Sequence, residues 1–251
     1  VEDGCLTLSW SYSQARYTQA TITQVADAFI GWLRKLIQHC QQPKHFGYTP
    51  SDFSLIDLPQ QQLDKVFGTK CGIEQIYPLS PMQSGLLFRA LYAPESGDYV
   101  VQSVYELSGK VDEAALRKAW VLTIGRHELL RTGFVWHGLD EPLQYVSETI
   151  ELDWRTSDWG EVTEASFDQA LEALLTEDRR KGFDWEKSGL LRFCLLRAQR
   201  LSDDQERQAQ VYHLVFIYHH ILLDGWSMPL LLNEVFNQYH RLLGQSEVST
   251  T

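Results

Sequence analysis

Long apolar runs, clustered basic residues and a signal-peptide pattern are all missing from this sequence. No apolar run approaches the roughly 18 residues of a membrane-spanning helix, and the first residues lack a basic-then-apolar pattern. The 22 Lys and Arg are outnumbered by 33 Asp and Glu, which gives a formal net charge of −11. Nucleic acids and anionic membranes bind clustered cations. We therefore expect no nucleic-acid partner, no membrane partner and a cytoplasmic location.

Cysteine is also scarce, with only Cys5, Cys40, Cys71 and Cys194, which are scattered and form no CxxC pair. This usage is typical of reduced thiols in the cytosol. A zinc site needs three or four converging ligands, and no third ligand accompanies the paired histidines described below. We therefore predict no metal site.

Aromatic residues are plentiful, and eight Trp, 11 Tyr and 11 Phe supply material for a sizeable core. In residues 1–47, alternation over 5–12 predicts a half-buried strand, and i, i+3, i+4, i+7 spacing predicts a helix over 23–40. One strand and one helix cannot bury a core, so they must belong to something larger. The Pro- and Gly-interrupted stretch 41–72 predicts a linker with one short helix near 61–66.

The rest of the chain alternates between helix and strand patterns. Ser80, followed by Pro81 and Gln83, forms a capping box with proline at the first helical position. The almost entirely apolar stretch 211–219 predicts a central strand buried on both faces. The order of elements predicts an α/β sandwich. Predicted helices cover about 81–91, 113–126, 164–181 and 227–243, and predicted strands about 99–107, 133–136, 143–146, 190–198 and 211–219.

The most specific pattern is HHILLDGWS at 219–227, where a buried strand ends in two histidines, turns and restarts as a helix. Neighbouring side chains of a strand point to opposite faces, so only one of His219 and His220 can face a given cavity. A histidine there suits general-base work, because a pKa of about 6.5 leaves it largely neutral in the cytosol. Gly225 would permit a tight turn that brings substrate close to backbone. Alone, the pattern also fits a structural histidine pair with a structural turn residue, Asp224.

Four segments in order resemble the condensation domains of nonribosomal peptide synthetases. The last of them, HHILLDGWS, is similar to the family signature HHxxxDG, and RHELLRTGF is similar to RHExLRTxF. The segments are YPLSPMQSGLLF at 77–88, RHELLRTGF at 126–134, FD at 183–184 with LLR at 190–192, and HHILLDGWS at 219–227.

This resemblance implies a chloramphenicol-acetyltransferase-like α/β sandwich with two lobes and a tunnel between them. His220 would assist attack of the acceptor amine on the donor thioester, with His219 more structural than catalytic. Asp224 would form an ion pair with an arginine, Arg131 in preference to Arg126, and Gly225 would line the tunnel. The domain itself would bind no cofactor, because its substrates arrive on the 4′-phosphopantetheine of upstream and downstream carrier proteins.

The resemblance also implies a domain organisation. Residues 1–47 resemble the C-terminal strand and helix of an epimerization domain, 48–72 would be an interdomain linker, and 73–251 would be the N-terminal lobe of a condensation domain. The motif wording resembles the subtype that joins a D donor to an L acceptor. The C-terminal lobe and the neighbouring epimerization and adenylation domains would be partners, and this piece alone would be inactive. The alternatives are a coenzyme-A-dependent HxxxD acyltransferase and a non-catalytic docking lobe.

Overall fold

A computed structural model describes residues 6–42, 47–94, 96–200 and 209–244. The chain forms two compact units, Val1–Tyr48 and Thr49–Thr251. The helices are α1 (Gln19–Cys40), α2 (Gln60–Phe67), α3 (Pro81–Tyr92), α4 (Glu113–Arg126), α5 (Glu164–Lys181) and α6 (Ser227–Leu242). The strands are β1 (Ile73–Pro78), β2 (Val100–Leu107), β3 (Thr132–Val135), β4 (Leu143–Ser147), β5 (Asp153–Val162), β6 (Leu191–Arg200) and β7 (Ala209–His219).

The first unit contains α1 and no strand among its described residues. The helix begins one turn before its predicted start, because the Thr18 hydroxyl accepts a hydrogen bond from the Thr21 amide. The strand predicted at 5–12 is not formed over 6–12, since a strand needs a partner for its backbone groups and the described part of this unit has none. Cys5 lies outside the described residues. The ring of Trp10 packs edge-on against Phe29, but no residue of α1 is buried.

The second unit begins with a segment that the sequence predicted to be a linker. Residues 49–72 pack into this unit instead. Phe53, Leu63 and Phe67 are buried, and the Phe67 ring meets the Tyr145 ring edge-on at 6.0 Å between centroids. The short helix α2 presents its apolar side chains on one face, which explains why a stretch rich in turn residues is nonetheless packed.

Two sheets form the framework of the second unit. The larger has the strand order β2-β7-β6-β5, in which only β5 and β6 run parallel. The smaller is antiparallel with the order β1-β4-β3. Strands β1 and β5 were not predicted from the sequence. The predicted α/β sandwich is confirmed.

Strand β7 is central and covered on both faces, as its apolar sequence predicted. Phe216 shares a core with Trp120 of α4 and Val235 of α6. On the other face, Val215 packs in a second core with Phe167 of α5. Helices therefore cover both sides of the strand, and its carboxyl end is held in a fixed place.

Candidate active site at the carboxyl end of strand β7

The two histidines at the end of β7 occupy different environments, as strand alternation predicted. His219 is the last residue of the strand and is 2% exposed, whereas His220 is exposed at the first position of the turn. Only His220 can therefore meet a substrate without rearrangement of the core.

The backbone fixes which nitrogen of His220 carries a proton. Its Nδ1 lies 2.6 Å from the carbonyl oxygen of Leu223. A carbonyl oxygen only accepts, so Nδ1 carries the hydrogen and the neutral ring keeps its lone pair on Nε2. The amide of His220 also donates to the Tyr99 carbonyl at 2.8 Å. The ring is thus held with a free base nitrogen.

Tyr99, which precedes β2, has the left-handed backbone conformation, with φ of 64°. It is the only non-glycine residue with positive φ in the described ranges. This conformation costs about 1–2 kcal/mol for most residues. The hydrogen bond from His220 and the pairing of Val100 with His219 hold it in place. Strain of this kind is typical of functional sites.

His219 is held neutral behind the turn. Its Nδ1 accepts from the Ile221 amide at 3.1 Å, so the hydrogen resides on Nε2. Burial lowers the pKa of His219 to about 4, against an opposing interaction with the Asp98 backbone and aided by repulsion from His220. An imidazole that does not protonate at neutral pH is a poor proton acceptor, and its contacts favour the structural role expected for it.

Asp224 does not form the expected ion pair. Its Oδ1 accepts from the amide and the hydroxyl of Ser227, at 2.8 and 2.7 Å. These two bonds, the hydroxyl first, lower the pKa of Asp224. The carboxylate is exposed and caps the start of α6, whereas both candidate arginines have other partners. Its role in the structure is to begin the helix that follows the turn.

Arg131 instead stabilises the smaller sheet. It is buried, forms an ion pair with Glu74 at 2.9 Å and donates to the Ser147 carbonyl. Glu74 lies on β1 and Ser147 on β4, so the side chain joins two strands.

Arg126 instead joins two helices. It forms an ion pair with Glu234 of α6 at 2.9 Å, and the neighbouring His127 reaches the same carboxylate at 2.7 Å. The expectation that either arginine pairs with Asp224 was therefore wrong. The segment secures α6 by way of Glu234, a residue that sequence reasoning missed.

Gly225 is not required by the backbone conformation of the turn. It is absent from the glycines with positive φ, and a Cβ built there would meet no atom within 4 Å. The tight-turn reason for glycine was wrong. The open space beside it still agrees with a close approach by substrate, which remains a prediction.

A buried ion pair near the site was also missed. Asp178, close to the end of α5, accepts from Nη2 of Arg192 at 2.7 Å and from Nη2 of Arg155 at 2.8 Å. The Arg192 guanidinium lies over the Phe183 ring at 4.2 Å. The pair therefore explains why the FD and LLR segments recur together: they meet at this arginine. A carboxylate at the unfavourable end of the helix dipole was the available signal.

A polar cleft of about 910 Å³ opens on the same lobe. One wall is the 182–189 loop, defined as residues 182–189 between α5 and β6. Lys70 donates to the Glu186 carbonyl across the cleft at 3.0 Å. Burial, aided by Asp184 and Glu186, raises the pKa of Tyr145 to about 12, so the phenol stays protonated there. Within the described ranges no group of three or more His, Cys, Asp or Glu could hold a metal ion.

The family model for the condensation domain matches residues 73–251. The chain belongs to the condensation-domain family. This condensation domain is 41% identical over 234 residues to a linear gramicidin synthase of Brevibacillus parabrevis, covering 93% of this chain and 4% of that protein. It is 32% identical to bacitracin synthase 3 of Bacillus licheniformis, covering 96% of this chain and 4% of that protein. The chain thus spans a small fraction of these relatives.

Solved structures agree with the fold. The condensation domain resembles the starter condensation domain of rhizomide synthetase RzmA with a TM-score of 0.56 at 20% identity. The match covers 70% of this chain and 41% of that one. This likeness confirms the chloramphenicol-acetyltransferase-like α/β sandwich. In the part of the chain that the structure describes, no helix has the length and apolarity needed to cross a membrane.

Proposed function

We propose that this condensation domain helps to form an amide bond in nonribosomal peptide synthesis, with His220 assisting the amine. The observation that carries the proposal is the exposed imidazole whose Nδ1 is bonded to the Leu223 carbonyl, which leaves the Nε2 lone pair free. The acceptor amine attacks the donor thioester carbonyl, a C–N bond forms, and the C–S bond breaks. Nε2 receives or orients the proton that leaves the nitrogen, and the thiol departs on its carrier.

The substrates in this proposal are an upstream aminoacyl or peptidyl thioester and a downstream aminoacyl thioester. Both would be tethered to 4′-phosphopantetheine on carrier proteins, so the domain itself needs no cofactor. The relatives are named as synthases of gramicidin and bacitracin, and each is far longer than this chain. The carriers, a C-terminal lobe, and epimerization and adenylation domains would therefore be neighbours in one polypeptide.

The direct test is His220→Ala in an intact synthetase whose carriers are loaded with both substrates. Loss of a general base lowers rates by about 10²–10⁴-fold, and single-turnover amide formation should fall by that factor with carrier loading unchanged. The matched control is His137→Ala, another exposed histidine in a turn. Near-normal transfer by the His220 variant would contradict the assignment.

We further propose that the donor has the D configuration and that residues 1–47 are the tail of an epimerization domain. Two observations support this: the family model begins at residue 73, and the apolar side chains of Trp32 and Leu36 on α1 are exposed. Inversion at the α-carbon exchanges the side chain and the hydrogen, so a wall shaped for one configuration rejects the other. Such a misfit is worth about 10–200-fold in rate.

The stereochemical test loads each donor enantiomer chemically onto the same carrier and bypasses epimerization. Initial rates of amide formation by the intact domain should favour the D donor by at least about tenfold. Equal rates or a preference for the L donor would contradict the proposed subtype.

A further inference from the structure

The 182–189 loop runs along the edge of the smaller sheet toward the paired histidines. The Phe134 amide donates to the Trp185 carbonyl at 3.1 Å, and the Gly189 amide donates to the Thr132 carbonyl at 2.9 Å. Gly189 has φ of 73°, and a Cβ there would lie 2.7 Å from the Ile150 side chain. The path of the loop, and with it the position of Trp185, is therefore fixed by backbone bonds and by close packing.

Trp185 forms the outer layer over His219. The indole meets the imidazole edge-on, with 4.6 Å between centroids and 69° between planes, and it also contacts the Phe134 ring at 5.8 Å. The indole is half-buried while the imidazole beneath it is 2% exposed. The flanking Glu186 is exposed and Asp184 is half-buried, and the aromatic ring is the part of the loop that faces the histidine.

His219 in turn holds the turn that carries His220. Its Nδ1 accepts from the Ile221 amide at 3.1 Å, and its carbonyl accepts from the Leu222 amide at 3.0 Å. A protonated Nδ1 could not accept, so the first of these bonds exists only while the ring is neutral. Water that reached the ring would favour the charged form and break the bond.

The groups that face His219 come from three directions. His220 follows it on the same turn, and the Asp98 backbone and the Tyr99 ring approach from the start of β2. Trp185 covers it from the loop. None of these groups supplies a carboxylate to a charged imidazole, so exclusion of water is what keeps the ring neutral.

We propose that Trp185 is a positioning residue, whose indole keeps water from His219 and so fixes the turn that presents His220. The consequence for rate rests on the proposed function. The shielding of the buried histidine does not.

The shielding is tested by NMR titration of the imidazole signals of this chain in the parent and in Trp185→Ala. The His219→Asn variant assigns the relevant signal among the eight histidines. The matched control is Trp159→Ala, because Trp159 is also half-buried and packs against a phenylalanine, Phe167, at 5.1 Å. The midpoint for His219 should rise by about one pH unit or more in Trp185→Ala, because solvation restores its charged form, and stay at the parent value in the control.

An unchanged midpoint in a folded Trp185→Ala protein would overturn the proposal. Circular dichroism reports whether that protein is folded. If it is not, Trp185→Leu keeps apolar bulk at the position and is titrated instead, with the same expected rise and the same refuting result.

The positioning role is tested by single-turnover amide formation in the intact synthetase. A displacement of the catalytic group on the order of 1 Å costs about 10²-fold, so Trp185→Ala should lose about 10–100-fold at saturating carriers. The KM for each carrier should not change, the loss should deepen as pH falls, and Trp185→Phe should recover most of the rate. If the parent forms no amide, the proposed function fails and the titration still decides the shielding. If the parent is active and Trp185→Ala matches it, the positioning role is refuted.

Discussion

Replacing Asp178 by Asn should destabilise the second unit far more than the same change at an exposed position of the same helix. The carboxylate is 4% exposed and accepts from Nε and Nη2 of Arg192, at 3.0 and 2.7 Å, and from Arg155 at 2.8 Å. The Arg192 side chain is 5% exposed, so it cannot turn to water when its partner is removed. Breaking a buried pair from one side costs about 3–5 kcal/mol. At about 2–4 °C per kcal/mol for a domain of this size, the melting temperature should fall by about 6–20 °C.

The measurement is thermal unfolding by circular dichroism, with Asp168→Asn as the matched control. Asp168 lies on the same helix and is exposed, so its replacement should leave the melting temperature close to that of the parent. The double variant Asp178→Leu with Arg192→Met should recover much of the loss, because apolar residues of similar volume often replace a buried pair without cost. If Asp178→Asn melts together with the control, the buried pair does not contribute as the geometry indicates.

Three further outcomes follow from the site. Because the folded pKa of His219 is about 4, below its unfolded value of about 6.5, its contribution is complete above the unfolded value and is lost as pH falls from there toward 4; urea unfolding should show a drop of about 3 kcal/mol across this window that His219→Asn lacks. Asp224→Ala should lower the melting temperature far less than Asp178→Asn, because Asp224 caps an exposed helix start; an equally large drop would restore the ion-pair interpretation. Gly225→Ala should melt like the parent yet slow amide formation in the intact synthetase; equal rates would mean that no substrate passes close to this backbone.

Much of the lobe could be predicted because its patterns are local. Helix α5 was predicted with the bounds observed, since its capping threonine and its charged amphipathic repeat both lie within or next to it. The opposite environments of His219 and His220 followed from strand alternation alone. These features depend on neighbours in sequence, which a single chain reveals directly.

The missed features depend on distant partners. Strand β5 is an edge strand with mixed polar and apolar positions, and Ile73 and Ile76 of β1 are three residues apart, so neither strand shows a clean alternation. The partner of Arg131 is Glu74, 57 residues away along the chain. No spacing rule could choose that carboxylate over Asp224, because the choice is made by the pairing of strands.

The packing of residues 49–72 onto the lobe affects how synthetases could be recombined. A junction placed at residue 73, where the family model begins, would remove Phe53, Leu63 and Phe67 from the core they fill and leave the ring of Tyr145 uncovered. Chimeras joined there should aggregate or express poorly, because each lost apolar side chain leaves a cavity open to water. The portable segment for exchange between assembly lines therefore starts at Thr49, so that the lobe carries its own apolar cover into the new host chain.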